Sequence, residues 1–155
     1  IMQAEKKEDD SLLRDYAETT VAVADIKIAV RSMKTGKNKD FMKRAMAECN
    51  TLDIDRLATA AVAGMEEIER YLADTAYAGG AEALSESASA FERWCDNRII
   101  ETIKPQKYNP FTVGPIVAYI LARLNEIKTV RIILTCKLNQ LPEEAIRERV
   151  REMYV

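Results

Sequence analysis

Histidine is absent from all 155 residues, and that absence excludes more chemistry than any other count. No Ser-His-Asp triad, Cys-His pair, HExxH zinc site or Glu-x-x-His di-iron site can be assembled without it. Glycine (5) and proline (4) are scarce, so turns are few and elements are long. The three cysteines, Cys49, Cys95 and Cys136, are far apart and odd in number. They fit neither a disulfide framework nor a zinc ribbon; they suit a reducing compartment, and each reads as an inert, partly buried thiol. An excess of one charge is also missing. A net charge of −2 and a pI near 5.4 offer no surface for nucleic acid or an anionic membrane. No apolar run approaches the ~20 residues of a membrane span. The stretch from Ile1 to Asp10 is dominated by charge and carries no signal-peptide pattern. Any membrane association is therefore expected through a partner. The opening Ile1-Met2 reads as the start of an excised piece.

What is present is helical patterning. A hydrophobic fraction of 48% with 31% charged residues fits a well-cored protein of one-domain length. From Asp9 to Lys34, Leu12, Tyr16, Thr19, Val23, Ile26, Val30 and Met33 recur at spacings of three and four. A second row, Leu13, Ala17, Val21, Ala24 and Ile28, lies beside them, so this helix packs on more than one neighbour. Gly36 stands where a C-terminal cap belongs. A short helix is predicted over Asp40 to Cys49. Asp53 N-caps a third, carrying Ile54, Leu57, Ala61, Met65, Ile68 and Leu72, and Gly79-Gly80 reads as a loop. A fourth, from Ala81 to Ile103, buries Leu84, Ala88, Phe91, Cys95 and Ile99 and ends at Lys104-Pro105.

The fifth helix starts at Pro115. Ile116, Ile120, Ile127, Val130 and Leu134 form one stripe on it, and Val117, Leu121 and Leu124 another. Residues 129–134 are β-prone, but the apolar spacing is continuous from Ile116 to Leu138 and no partner strand is evident, so helix is the better reading. The last helix runs from Pro142-Glu143-Glu144 to Met153, with acidic residues at the positive end of its dipole. The expected fold is all-α, a bundle of about six helices. Residues 1–80 form one helical unit and 81–155 a second, packed as one body.

The C-terminal third carries a specific pattern. Lys107-Tyr108, Phe111, Pro115, Ala118-Tyr119, Leu121-Ala122, Glu126-Ile127-Lys128, Arg131-Ile132-Ile133, Lys137-Leu138-Asn139, Pro142-Glu143-Glu144, Ile146 to Arg149 and Tyr154-Val155 resemble the end of the C subunit of V-type and A-type ATPases (ATP synthases), the counterpart of the eukaryotic d subunit. The likeness runs in register from Phe91 to Val155. Upstream, Ala24-Asp25-Ile26-Lys27 with Arg31 resembles the family's acidic-aliphatic-basic pattern and echoes Asn125 to Lys128 with Arg131, one residue off in spacing. Thr112-Val113-Gly114 and Gln140 depart from the family, which commonly has Gly-Pro-Glu and a Gly there; Asn139 is expected to take the left-handed cap instead.

The resemblance implies a funnel-shaped body of three helical units, of which this chain would carry the last and part of the one before. It implies a non-catalytic central-stalk subunit on the cytoplasmic face, peripheral to the membrane, with no cofactor. That component would couple the shaft (D- and F-type subunits) to the membrane proteolipid ring for proton or other ion transport. The competing expectation is a free-standing helical adaptor or regulatory bundle. In an excised piece, Leu13, Ala17 and Val21 would be exposed or covered by self-association.

Few residues suggest chemistry. Thr35-Gly36-Lys37-Asn38 lacks the Gly and Ser/Thr of a phosphate loop and reads as a capping turn. Glu92 and Asp96, one turn apart, could pair as acid and base or hold a metal, but a solvated face is the better reading. Glu126, Lys128 and Arg131 interrupt an apolar stretch, which points to an ion pair within the fold or with a partner. Arg147, Arg149 and Arg151 alternate with Glu148 and Glu152, either as a salt-bridged surface or as a docking patch. Trp94 and Tyr119 are expected as core anchors, with a place at an interface as the other reading. The candidate interaction residues are therefore Tyr119, Glu126, Lys128, Arg131, Lys137, Arg147 and Arg149.

Overall fold

The computed structural model describes residues 2–108, 110 and 112–154, with side chains from residue 12 onward except that of Lys107. Phe111 and Val155, part of the family pattern above, lie outside the described residues. Among the described residues there are eight α-helices, one 3-10 helix and no strand. The β-prone residues 129–134 lie inside a long helix, as the unbroken apolar spacing required. About six helices were expected; the third and fourth are each divided. Gly64, at φ 138°, separates α3 (Ile54–Ala63) from α4 (Met65–Ala73). Ser87, extended at φ −167°, separates α5 (Ala78–Glu86) from α6 (Ala88–Ile103). Gly79-Gly80 is not a loop. Both residues lie in the first turn of α5, where Gly80 is buried, and helical glycine costs only about 1 kcal/mol.

The chain divides into two compact units, residues 17–87 and residues 1–16 with 88–155. The first helix, α1 (Met2–Lys34), contributes to both. In the unit of residues 17–87, α1 presents Ala22, Val23, Ile26, Ala29 and Val30 as buried core. Its C-terminus closes through Gly36, at φ 64°, with the Lys37 N–H donating to the Ser32 carbonyl at 2.9 Å. This is the geometry a left-handed glycine cap provides. The helix α2 (Lys39–Ala45) is capped by Asn38, which accepts from the Phe41 N–H at 2.9 Å. Asp53 caps α3, accepting from the Asp55 and Arg56 N–H groups at 2.9 and 3.1 Å. From there α2 packs on α3, α3 on α4 and α4 on α5, burying Met42, Leu57, Ile68, Leu72 and Tyr77.

Segment 47–51 is tied to α1 by two carboxylates. Glu18 accepts the N–H groups of Asn50 and Thr51, the latter at 2.8 Å. Burial raises its pKa, but those backbone donors outweigh it and hold the carboxyl below its ordinary range. Asp25 is 2% exposed; Oδ1 accepts from the Ala47 N–H at 3.2 Å, and Oδ2 has no hydrogen-bond partner. Burial pushes its pKa up, against the single Ala47 bond.

In the second unit, α6 packs on α7 (Gly114–Leu138), on α8 (Glu143–Arg149) and on the 3-10 helix Lys104–Tyr108. Leu12, Ile100, Ile103 and Ala118 form its core, with Tyr16, Leu121 and Tyr154 packed against them. The Phe91 and Trp94 rings stack at 6.2 Å. The buried face of α7 consists of small residues, Gly114, Ala118, Ala122, Thr129 and Cys136. Of the two stripes seen in the sequence, the bulkier one, Ile116, Ile120, Ile127, Val130 and Leu134, faces outward, at 49–62% exposure. Tyr119, expected as a core anchor, is 60% exposed. Small side chains let α7 approach its neighbours closely, which leaves the bulky stripe on the other side.

α7 ends at a left-handed residue, but this is Gln140, at φ 56°, and not Asn139, at φ −86°. The Leu141 N–H donates to the Cys136 carbonyl at 3.0 Å across the turn. A non-glycine residue there costs about 1–2 kcal/mol of backbone strain. Gln140→Gly is expected to stabilise by about 0.5–1 kcal/mol after glycine's greater unfolded-state entropy is subtracted. A melting temperature at or below that of the parent chain would contradict this.

Asp25→Asn is expected to raise the melting temperature at pH 7, because the variant buries no charge. Since the folded pKa of Asp25 lies above its ordinary value, the folded state binds its proton more tightly. Parent stability therefore gains from this group as pH falls through the raised pKa toward 3.8. The variant should lose that gain. Thermal melts of both proteins between pH 7 and pH 3 test it.

Candidate interaction site: an ion-paired carboxylate under the C-terminal segment

Asp96 sits on the α6 stripe that also carries Ile100 and Ile103, at i+4 and i+7, and it is buried with them. The solvated-face reading of this residue is therefore wrong. A carboxylate there needs cations, and two reach it. Arg151 Nε donates to Oδ2 at 2.7 Å, and Lys128 Nζ to Oδ1 at 2.6 Å. The Arg151 and Asp96 side chains are 7% and 8% exposed, whereas Lys128 is 50% exposed. The Asp96–Arg151 pair is the interior contact, and Lys128 closes it from solvent.

Arg151 reaches Asp96 because the chain stops being helical. The predicted helix to Met153 ends at Arg149, and Val150 is extended at φ −67°, ψ 134°. This turns Arg151 inward, where it is neither a salt-bridged surface nor part of a docking patch. Further bonds hold the same segment. The Glu152 N–H donates to Asn97 Oδ1 at 2.9 Å, Asn125 Nδ2 to the Glu152 carbonyl at 3.0 Å, and Arg93 to the Glu148 carbonyl at 2.7 Å. Lys104 pairs with Glu152 at 2.7 Å. Residues 148–152 are thus fastened to both α6 and α7. A shallow groove of about 180 Å³ lies beside the carboxylate, lined by Tyr16, Ile99, Ile100, Leu121, Asn125 and Lys128.

The other candidate residues are dispersed. Glu126 pairs with Arg123 on α7 itself. Arg131 and Lys137 are exposed on the same helix. Arg147 pairs with Glu143 at 2.6 Å on an open surface, and Arg149 donates to the Ala145 carbonyl at 2.6 Å. Of the seven, only Lys128 joins the Asp96 centre. Sequence reasoning missed Asp96 and Arg151 as partners. The available signal was a charged residue on the Ile100 and Ile103 stripe of α6, at the heart of an apolar face.

The unit of residues 17–87 has a separate surface cluster. The Asp55 carboxylate accepts from Lys39 at 2.9 Å and Lys43 at 2.8 Å, and these two ammonium groups hold its pKa down to about 2. It borders a groove of about 350 Å³ between α3 and α4, where Arg56 lies 5.4 Å from the Tyr71 ring. Among the described residues no group of three or more Cys, Asp or Glu side chains converges as a metal site. No helix among them is long and apolar enough to cross a membrane.

Eight α-helices and no strand among the described residues define the class: an all-α protein. Residues 1–149 match the family of the ATP synthase (C/AC39) subunit, and the chain belongs to that family. It is similar to the C subunit of the A-type ATP synthase of Methanocaldococcus jannaschii, 27% identical over 94% of this chain and 39% of that relative. The chain therefore spans about two fifths of the length of that curated relative. No solved structure matches it.

Breaking the buried contact should cost more than breaking its rim. Arg151→Met takes away the buried cationic partner of the Asp96 carboxylate and is expected to destabilise by about 3 kcal/mol. Lys128→Met should cost about 1 kcal/mol or less. Equal losses in urea unfolding would show that Arg151 is not the principal partner of Asp96.

Proposed function

We propose that this chain acts as a central-stalk element of a V/A-type rotary ATPase. It would couple the shaft, made of D- and F-type subunits, to the proteolipid ring during ATP-driven or ATP-forming ion translocation. The observation that carries the reading is the family match over residues 1–149. The similarity to the archaeal relative, itself the C subunit of an A-type ATP synthase, adds weight. The chain would stand at the cytoplasmic face and meet the membrane only through its partners. Any ATP chemistry would belong to other subunits.

The geometry is suited to such work. An element that transmits torque must not yield at its joints, and close-packed helices deform little. In the unit of residues 1–16 and 88–155, a non-helical segment that could otherwise fray is held by the Asp96–Arg151 pair and by bonds from Asn97, Asn125 and Arg93. Partners then meet a fixed arrangement of charge, which favours specific recognition.

The test is co-elution of the purified chain with purified D- and F-type subunits and, separately, with detergent-solubilised proteolipid ring. Binding to at least one is expected. Failure to bind either would discard the stalk reading and leave the free-standing adaptor.

A further inference from the structure

The α7 helix is built inside out, with small residues buried and large aliphatic ones exposed. At about 100° per residue, Ile116, Ile120, Ile127, Leu134 and Leu138 fall within about 40° of one another. They are 62%, 53%, 49%, 56% and 83% exposed. The line runs for about 33 Å of helix. Single exposed aliphatics are ordinary, but a continuous stripe of this length marks a contact surface.

Charge decides what kind of contact. Arg123 and Arg131 lie about 20° outside the two edges of that line, and the apolar face continues past them through Val130 and Leu124, 54% and 59% exposed. Lys128 and Lys137 are also exposed on α7, and Glu126, which pairs with Arg123, is the single acidic residue of the helix. Basic side chains set into an apolar face select a partner by charge as well as by apolar contact. From this we propose that the outer face of α7 is a docking surface for an amphipathic helix of another polypeptide, one whose apolar stripe is bordered by Glu or Asp. The inference stands on the geometry of α7 alone and does not depend on the rotary assignment.

Two other occupants fit less well. A second copy packed antiparallel about Ile127 brings Arg123 level with the other copy's Arg131 across the seam, and a parallel copy brings each arginine level with itself, so either pairing gathers like charges with no acidic partner opposite. A lipid surface would draw the aliphatic stripe into the acyl boundary, but the arginines sit against the stripe instead of on a separate polar face. An acid-flanked helix satisfies both the stripe and its borders.

The probes are two fluorescent peptides of about 25 residues, each with a leucine stripe, one flanked by Glu and the other by Lys. Titration of the 155-residue chain by fluorescence anisotropy at roughly 0.15 M salt should show the Glu peptide binding about tenfold tighter or more than the Lys peptide. Ile127→Glu should abolish binding of the Glu peptide, and Arg123→Glu with Arg131→Glu should reverse the preference. Each variant should keep the parent melting temperature, because these side chains are largely exposed; a large fall would show that α7 is needed for the fold and overturn the proposal. Equal binding of the two peptides, or none, overturns it too. So does a dimer in light scattering that Ile127→Glu dissolves, or tighter binding to phosphatidylserine vesicles than to the Glu peptide.

Discussion

The carboxylate of Asp96 is the constraint around which the C-terminal unit is organised. A charge at a buried helical position is costly unless cations reach it, and here Arg151, with Lys128 at the rim, arrives from two other parts of the chain. Arg151 arrives because α8 ends at Arg149, and Lys128 because α7 lies alongside α6. One side chain thereby ties the end of the chain, α6 and α7 together. Neutral residues could bind the same segments at less desolvation cost. A buried ion pair, however, penalises every arrangement that leaves one partner alone, and that favours a single geometry.

Polar fastening of this kind recurs in the other unit. Glu18 and Asp25, both on α1, take up the backbone N–H groups of segment 47–51. The two cases differ in outcome. Glu18 gains enough donors to stay readily ionised, whereas Asp25 keeps one oxygen without a partner in an apolar surrounding. Glu18 and Asp25 thus act as acceptors that hold non-helical backbone against α1.

Membership of the ATP synthase (C/AC39) subunit family gives this arrangement a setting. A component of a large complex, the role proposed here, would need to be firm internally and adhesive externally. The ion-paired centre supplies the first property, and the outward aliphatic face of α7 supplies a surface with little to do in the chain alone. These belong to different aspects of one helix, about 100° apart. Lys128 faces α6, while Ile127, the residue before it, is half exposed.

Helical character, the starting points of α2, α3, α7 and α8 and membership of the family were all legible in the residues alone. These follow from local properties: apolar spacing, caps such as Asn38 and Asp53, the cap glycine Gly36, and a dense run of identities after Phe91. Which apolar stripe of α7 is covered was settled by packing, since both repeat at helical spacing and only the space beside α6 selects the small one. Packing also buried Asp96 and turned Arg151 inward, because residues 55 positions apart meet only after α8 stops. Gly64 and Ser87 interrupt helices while Gly79-Gly80 does not, since a glycine's conformational freedom permits a break but the surrounding contacts choose where it falls.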